Sequence, residues 1–145
     1  MKLIDANLLL FSYDPGAAMH TKARRWFEQT LSSGERIGIP MLAISAFVRI
    51  STDKRLPRTN LRMADALGAV QSWLNLDNVE VIHTSNKTWQ ITVEVLRSSG
   101  VTGSMITDVQ LAALAIEHGA TLYSNDRDFA RFKQVRWIDP FADRA

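Results

Sequence analysis

The sequence predicts an α/β fold, a three-layer sandwich with a central, mainly parallel sheet. Short apolar runs alternate along the chain with longer segments whose apolar residues recur at helical spacing. The runs are joined through helices rather than hairpin turns, and strands joined that way pair in parallel with helices on both faces. No repeat, low-complexity tract or Pro/Gly-rich linker divides the 145 residues, so a single domain over residues 1–145 is expected.

The elements follow in order. "KLID" (2–5) is an apolar run ending in an acid, as buried parallel strands often do. "HTKARRWFEQTL" places Ala23, Trp26, Phe27 and Leu31, with Met19 before them, on one helical face, and Gly34 ends that helix. "RIGI" is a second strand, and Pro40 opens "PMLAISAFVRI", a nearly all-apolar helix expected to be buried. Met63, Leu67, Val70 and Leu74 define another amphipathic helix; "VEVI" (79–82) is a third strand, and Trp89, Val93 and Leu96 mark the helix after it. In "ITDVQLAALAIEHGA", Thr107 is read as the N-cap, Asp108 falls in the first turn and Gly119 closes the helix. "TLYS" is a fourth strand, "DRDFARF" a short helix and "VRWI" a last strand.

Composition narrows the function classes. The chain is 46% hydrophobic and 22% charged, ordinary for a water-exposed globular chain, and has no apolar run near the ~18 residues of a membrane span. Asp5 and Asn7 interrupt the apolar start, so "MKLIDANLLLFSYD" reads as a mature strand rather than a secretory leader. The absence of cysteine rules out disulfides, thiolate zinc and a cysteine nucleophile, and a cytoplasmic location is expected. A net charge of +2 is a mild bias. Its distribution says more: Arg49, Lys54, Arg55, Arg58 and Arg62 crowd one stretch against Asp53, and Arg24 with Arg25 forms a second cluster. Both a solvated face and a phosphate-contacting one fit these clusters.

In an open α/β sheet ligands bind at the carboxyl ends of the strands. Asp5 ends the first strand, Asp126 follows the fourth, and Asp108 opens the helix before the fourth. Converging carboxylates repel unless a cation sits among them, and magnesium, which takes a few carboxylates plus waters, suits them. Helix N-termini are expected to keep Asp108 and Asp126 ionised. Singly, Asp108, Asp126 and Asp128 are explained by helix starts; Asp5 has no such local need in this reading.

At these residues a family resemblance enters. "LIDANLLLFSYD" is similar to the opening motif of PIN-domain nucleases, and "TDVQLAALAIEHGATLYSNDRDF" to their C-terminal signature. "IGIPMLAISAFVRIST" extends the likeness through the middle, and the chain length resembles the VapC-type toxins of toxin–antitoxin pairs. The resemblance implies a metal-dependent endoribonuclease using Mg2+ (or Mn2+), with Asp5, Asp108 and Asp126 as catalytic metal-site acids. Asn7, Thr107 and Ser124 would stand around them, and Asp128 would support the helix start or stand around them as well. It also implies an RNA substrate and a cognate antitoxin whose C-terminal segment covers the cleft, while the apolar helices at 40–50 and 62–75 offer a face for a homodimer as well as a core. Arg49, Lys54, Arg55 and Arg58 are the candidate RNA contacts. One departure stands out: the family's usual glutamate in the helix after strand two is Ala46 here. That loss leaves weaker activity, greater manganese dependence or a non-catalytic binding module as alternatives. Asp14, Glu35 and Asp53 are conceivable replacements that the sequence does not place.

Other conspicuous residues receive plainer readings. His20, His83 and His118 lack metal-ligand spacing, and Trp26, Trp73 and Trp89 fit helical apolar patterns of core or interface. No nucleophile elbow or Gly-rich phosphate loop is present. A phosphoacceptor signalling domain would need a lysine at a late strand end, and neither "VIHTS" nor "LYSND" has one.

Overall fold

The computed structural model describes residues 1–56 and 60–143; Arg58, a candidate RNA contact, lies outside them. The elements are β1 (Lys2–Ile4), α1 (Ala6–Tyr13), α2 (His20–Leu31), β2 (Ile37–Pro40), α3 (Met41–Ser51), α4 (Met63–Leu74), β3 (Val79–Ile82), α5 (Asn86–Ser99), α6 (Ile106–Glu117), β4 (Thr121–Tyr123) and β5 (Arg136–Ile138). Short 3-10 turns at Gly103–Met105 and Arg127–Arg131 complete them. All pairings in the five-stranded sheet are parallel, in the order β3-β2-β1-β4-β5. The chain builds outward from β1 to β3, then crosses back to lay β4 on the other side of β1. β1 and β4 therefore flank the point where strand order reverses, and such folds open a crevice beyond the carboxyl ends there.

Alternate residues of the central strands feed two cores. Ile4, Ile37 and Ile39 face Leu8, Phe27, Phe47 and Trp73. Leu3 and Leu122 face Leu111, Leu114, Phe129 and Phe132 on the other side. The three-layer α/β expectation thus matches the observed architecture.

Five local expectations are corrected. Helix α1 leaves no signal in the sequence, because "ANLLLFSY" is too short and too uniformly apolar to show a period. Its presence gives Asp5 the local role denied to it, since the Asp5 carboxylate caps α1 by accepting from the Ala6 N–H at 2.7 Å. Thr107 is not the N-cap of α6: a 3-10 turn feeds the helix from upstream, which starts at Ile106 and leaves Thr107 exposed. The apolar pattern of α4 misplaces its inner face. Ala66, Val70 and Trp73 turn inward, while Met63 and Leu67 are each 52% exposed. Trp89, read as core or interface, is 56% exposed, whereas Trp73 is enclosed. Helix α3 is not wholly buried either: Met41, Ser45 and Arg49 form an exposed stripe.

Gly38 shows how tightly the central strands meet the layers. A Cβ there would lie 2.7 Å from Ile82 Cγ1, 3.0 Å from Met1 Sδ and 3.1 Å from Leu3 Cδ1. Gly38→Ala should therefore lower stability by about 1–3 kcal/mol through overpacking. A urea melt showing equal or greater stability would refute this.

Candidate metal centre

The local sequence positions each acid. Asp5 continues β1, where its backbone N–H donates to the Tyr123 carbonyl at 3.0 Å; Ser124 and Asp126 follow β4 directly. Asp108 comes in through the first turn of α6. Chain segments more than a hundred residues apart thus converge because β1 and β4 are neighbours in the sheet.

Ser124 joins them. Its buried hydroxyl donates to Asp5 Oδ2 at 2.7 Å and accepts from Asn7 Nδ2 at 3.1 Å and from the Asp126 N–H at 3.0 Å. The Trp137 indole N–H donates to the Ser124 carbonyl at 3.0 Å, fixing the same residue from β5; nothing in the sequence signalled that contact. Asp126 Oδ1 accepts from the Asp128 N–H at 2.9 Å, so Asp126 itself caps the Arg127–Arg131 turn. Asp128 lies in the first turn, as expected of a residue supporting the helix start, and the capping hydrogen bond itself comes from Asp126. One carboxylate oxygen each of Asp108, Asp126 and Asp128 lies within 4.8 Å of the others. Asp5 stands beside this trio, near enough for the charges of Asp108 and Asp126 to act on it. Thr107 joins none of these hydrogen bonds.

The electrostatics are those of an anion cluster. Burial pushes the Asp5 carboxyl up to about 6; its hydrogen bonds from Ser124 and Ala6 pull the other way, and Asp108 and Asp126 add to the rise. Asp108 is also raised, chiefly by burial and then by Asp126 and Asp128. Burial and like charge therefore act on Asp108 against the helix N-terminus, which favours its ionised form. The donors fit a hard divalent ion: they are carboxylate oxygens, and the buried Asn7 Oδ1 beside them has no hydrogen-bond partner among the described residues.

The remaining sequence candidates fall elsewhere. Glu35 pairs with Lys2 at 2.9 Å, Asp14 Oδ1 accepts from the Gly16 N–H, and Asp53 forms a two-pronged ion pair with Arg55. None of these acids takes the place of the missing glutamate at Ala46. Arg55 is committed to Asp53, while Arg49 and Lys54 are exposed and have no ion pair among the described residues.

Ser124→Ala removes the donor to Asp5 and strands the Asn7 amide and the Asp126 N–H. We expect a stability loss of about 2 kcal/mol. Because the Ser124 hydrogen bond favours the ionised Asp5 carboxylate, losing it should make the carboxyl titrate still higher. Carbon NMR of the Asp5 carboxyl reads this directly, and an unchanged or lower midpoint would contradict the network.

Comparison with known proteins locates this architecture. A PIN domain model matches residues 2–135. The chain belongs to the PIN domain family. Its relatives include ribonuclease VapC33 of Mycobacterium tuberculosis, to which this PIN domain is 36% identical over 143 residues, covering 99% of this chain and 100% of that one. Among solved structures, the sarcin–ricin-loop-cleaving toxin VapC20 of Mycobacterium tuberculosis superposes with a TM-score of 0.67 at 21% identity, over 94% of this PIN domain and 99% of VapC20. A toxin–antitoxin complex from Klebsiella pneumoniae matches with a TM-score of 0.62 at 15% identity, over 97% and 98% of the two chains. No helix among the described residues is long and apolar enough to cross a membrane.

Proposed function

We propose that this PIN domain is a divalent-metal-dependent endoribonuclease, the toxin of a toxin–antitoxin pair. The observation that carries the reading is the convergence of Asp5, Asp108, Asp126 and Asp128 where β1 and β4 meet, in a chain 36% identical to a ribonuclease VapC. Asp108, Asp126 and Asp128 would hold Mg2+, or Mn2+, with Asp5 at its flank. When bound, the ion supplies charge neutralisation at the scissile phosphate and a more acidic water. The chain's own part is positional. Ser124 fixes the Asp5 carboxylate and the start of the Asp126 turn together, and Asn7 holds Ser124 from the α1 side. Arg49 and Lys54 remain available to phosphates, Arg55 less so, and Thr107 at most contacts solvent near Asp108. The antitoxin assignment draws on the Klebsiella complex. The exposed Met63 and Leu67 offer an apolar face for a second copy.

The test is cleavage of structured RNAs by antitoxin-free protein in magnesium, manganese and EDTA. Cutting that needs a metal supports the reading; no cutting in either metal by folded protein defeats it. Ala46 favours a second reading, a weakened or purely binding PIN domain. Helix α3 packs against α1, the helix that Asp5 opens, and its half-buried Ala46 leaves that side without a carboxylate. If the missing ligand limits the rate, Ala46→Glu should raise metal-dependent cleavage by roughly tenfold. An unchanged, absent activity in that variant would favour the binding module.

A further inference from the structure

A groove of about 340 Å3 runs between α2 and the segment after β5, lined by Lys22, Arg25, Trp26, Gln29, Pro140 and Phe141. We propose that it is a track for the phosphates of the RNA strand beside the acid cluster, with Lys22 and Arg25 as the contacting cations. The proposal rests on the nuclease reading and adds a substrate surface distinct from the Arg49–Arg55 stretch.

Position is the first argument. Trp26 stacks on Tyr123, with ring centres 5.6 Å apart and planes 29° apart, and Tyr123 immediately precedes Ser124. Phe141 packs edge-on against Trp26 at 6.4 Å. The Asn125 amide donates to Asp139 at 3.0 Å, tying the segment that carries Phe141 to the loop that carries Asp126. The groove is thus joined to the site through two contacts, Trp26 on Tyr123 and Asn125 on Asp139.

Charge is the second. Lys22 and Arg25 sit three residues apart on one helix, both exposed, and form no ion pair among the described residues. On the same helix Arg24 is occupied, bonded to Glu28 at 3.1 Å and lying over the Tyr13 ring at 6.0 Å. Lys22 lies in the first turn of α2, where the helix dipole is itself positive, Arg25 follows in the second, and no acid in the first turn offsets them. Internal stability does not account for that arrangement; a polyanion does. The acid cluster repels an incoming phosphate chain, so cations must hold the flanking phosphates. That need is specific to a nucleic acid and favours it over an acidic peptide.

The test compares wild type with the Lys22→Gln/Arg25→Gln double variant on a fluorescent single-stranded RNA across a series of salt concentrations. Cleavage in magnesium gives kcat and KM; anisotropy in EDTA gives binding without cutting. Both side chains are exposed, so thermal melts should coincide. Losing two phosphate contacts predicts binding weaker by about tenfold near 0.15 M salt and a salt slope shallower by about 1.4. KM should rise accordingly, with kcat little changed. Unaltered affinity and salt slope would overturn the proposal while leaving the nuclease reading intact. So would RNA affinity equal to wild type with inhibition by the antitoxin lost, which puts a protein in the groove. Wild type that neither binds nor cuts RNA would sink both.

Discussion

Asp5→Asn is expected to lower metal-dependent RNA cleavage by on the order of a thousandfold, the upper range for removing one electrostatic group from a hydrolytic site. The same substitution should stabilise the metal-free protein at pH 7. Asp5 is buried, and its folded carboxyl titrates at about 6 against 3.8 for the ordinary group. A raised carboxylate works against folding as pH climbs. Below 3.8 both states hold the proton and nothing is lost. Between 3.8 and about 6 the unfolded chain ionises first, and above 6 the full penalty applies, about 3 kcal/mol for a shift of this size. Asparagine avoids that penalty but loses part of the hydrogen bonding to Ser124 and Ala6, so a net gain of about 2 kcal/mol is expected. Urea melts in EDTA should show the gain at pH 7 and none near pH 3.5. Added magnesium should stabilise the wild type and much less the variant. A variant that is less stable at pH 7, or one that still cuts, would remove Asp5 from the site as described.

The second large effect lies in the core. Trp73 is almost wholly enclosed by Tyr13, Phe27 and Phe47, with ring centres 5.0–5.7 Å away, and its indole N–H donates to the Tyr13 hydroxyl at 3.0 Å. It joins α1, α2 and α3 to its own helix α4. Trp73→Ala should cost about 4 kcal/mol, mostly from the cavity left behind, and lower the melting temperature by on the order of 10 °C. Phenylalanine at the same position should recover most of the packing but not the hydrogen bond. An alanine variant melting within about 2 °C of wild type would show that the four helices are held some other way.

These contrasts bear on what the sequence made legible. The sheet and most helices could be read because apolar runs and helical spacing report burial directly. Helix α1 could not, since eight nearly all-apolar residues have no polar face to reveal a period. The exposed Met63, Leu67 and Trp89 broke the pattern in the opposite sense, because hydrophobic residues at helical spacing mark a face without saying whether the protein covers it. At the site, Asp5, Asp108 and Asp126 were visible as acids at strand and helix ends. The nearness of Asp128 to Asp108 and Asp126 was not, because it depends on the tight 3-10 geometry after Asp126. Nor was the junction at Ser124, whose hydroxyl has three partners, just past β1, on α1 and in the loop after β4. The cations of α2 were visible as a cluster, but their groove required the position of Phe141.

The central pairing also has a consequence for synthesis. Ile4 meets Tyr123 in register, so the first strand of the chain waits for one of the last. While β1, β2 and β3 emerge from the ribosome, one edge of β1 stays open and Asp5 has no Ser124 to hold it. A truncated product ending before residue 124 would lack the junction and Asp126 alike, and could assemble no acid cluster. The acid cluster cannot form until nearly all of the chain has been made.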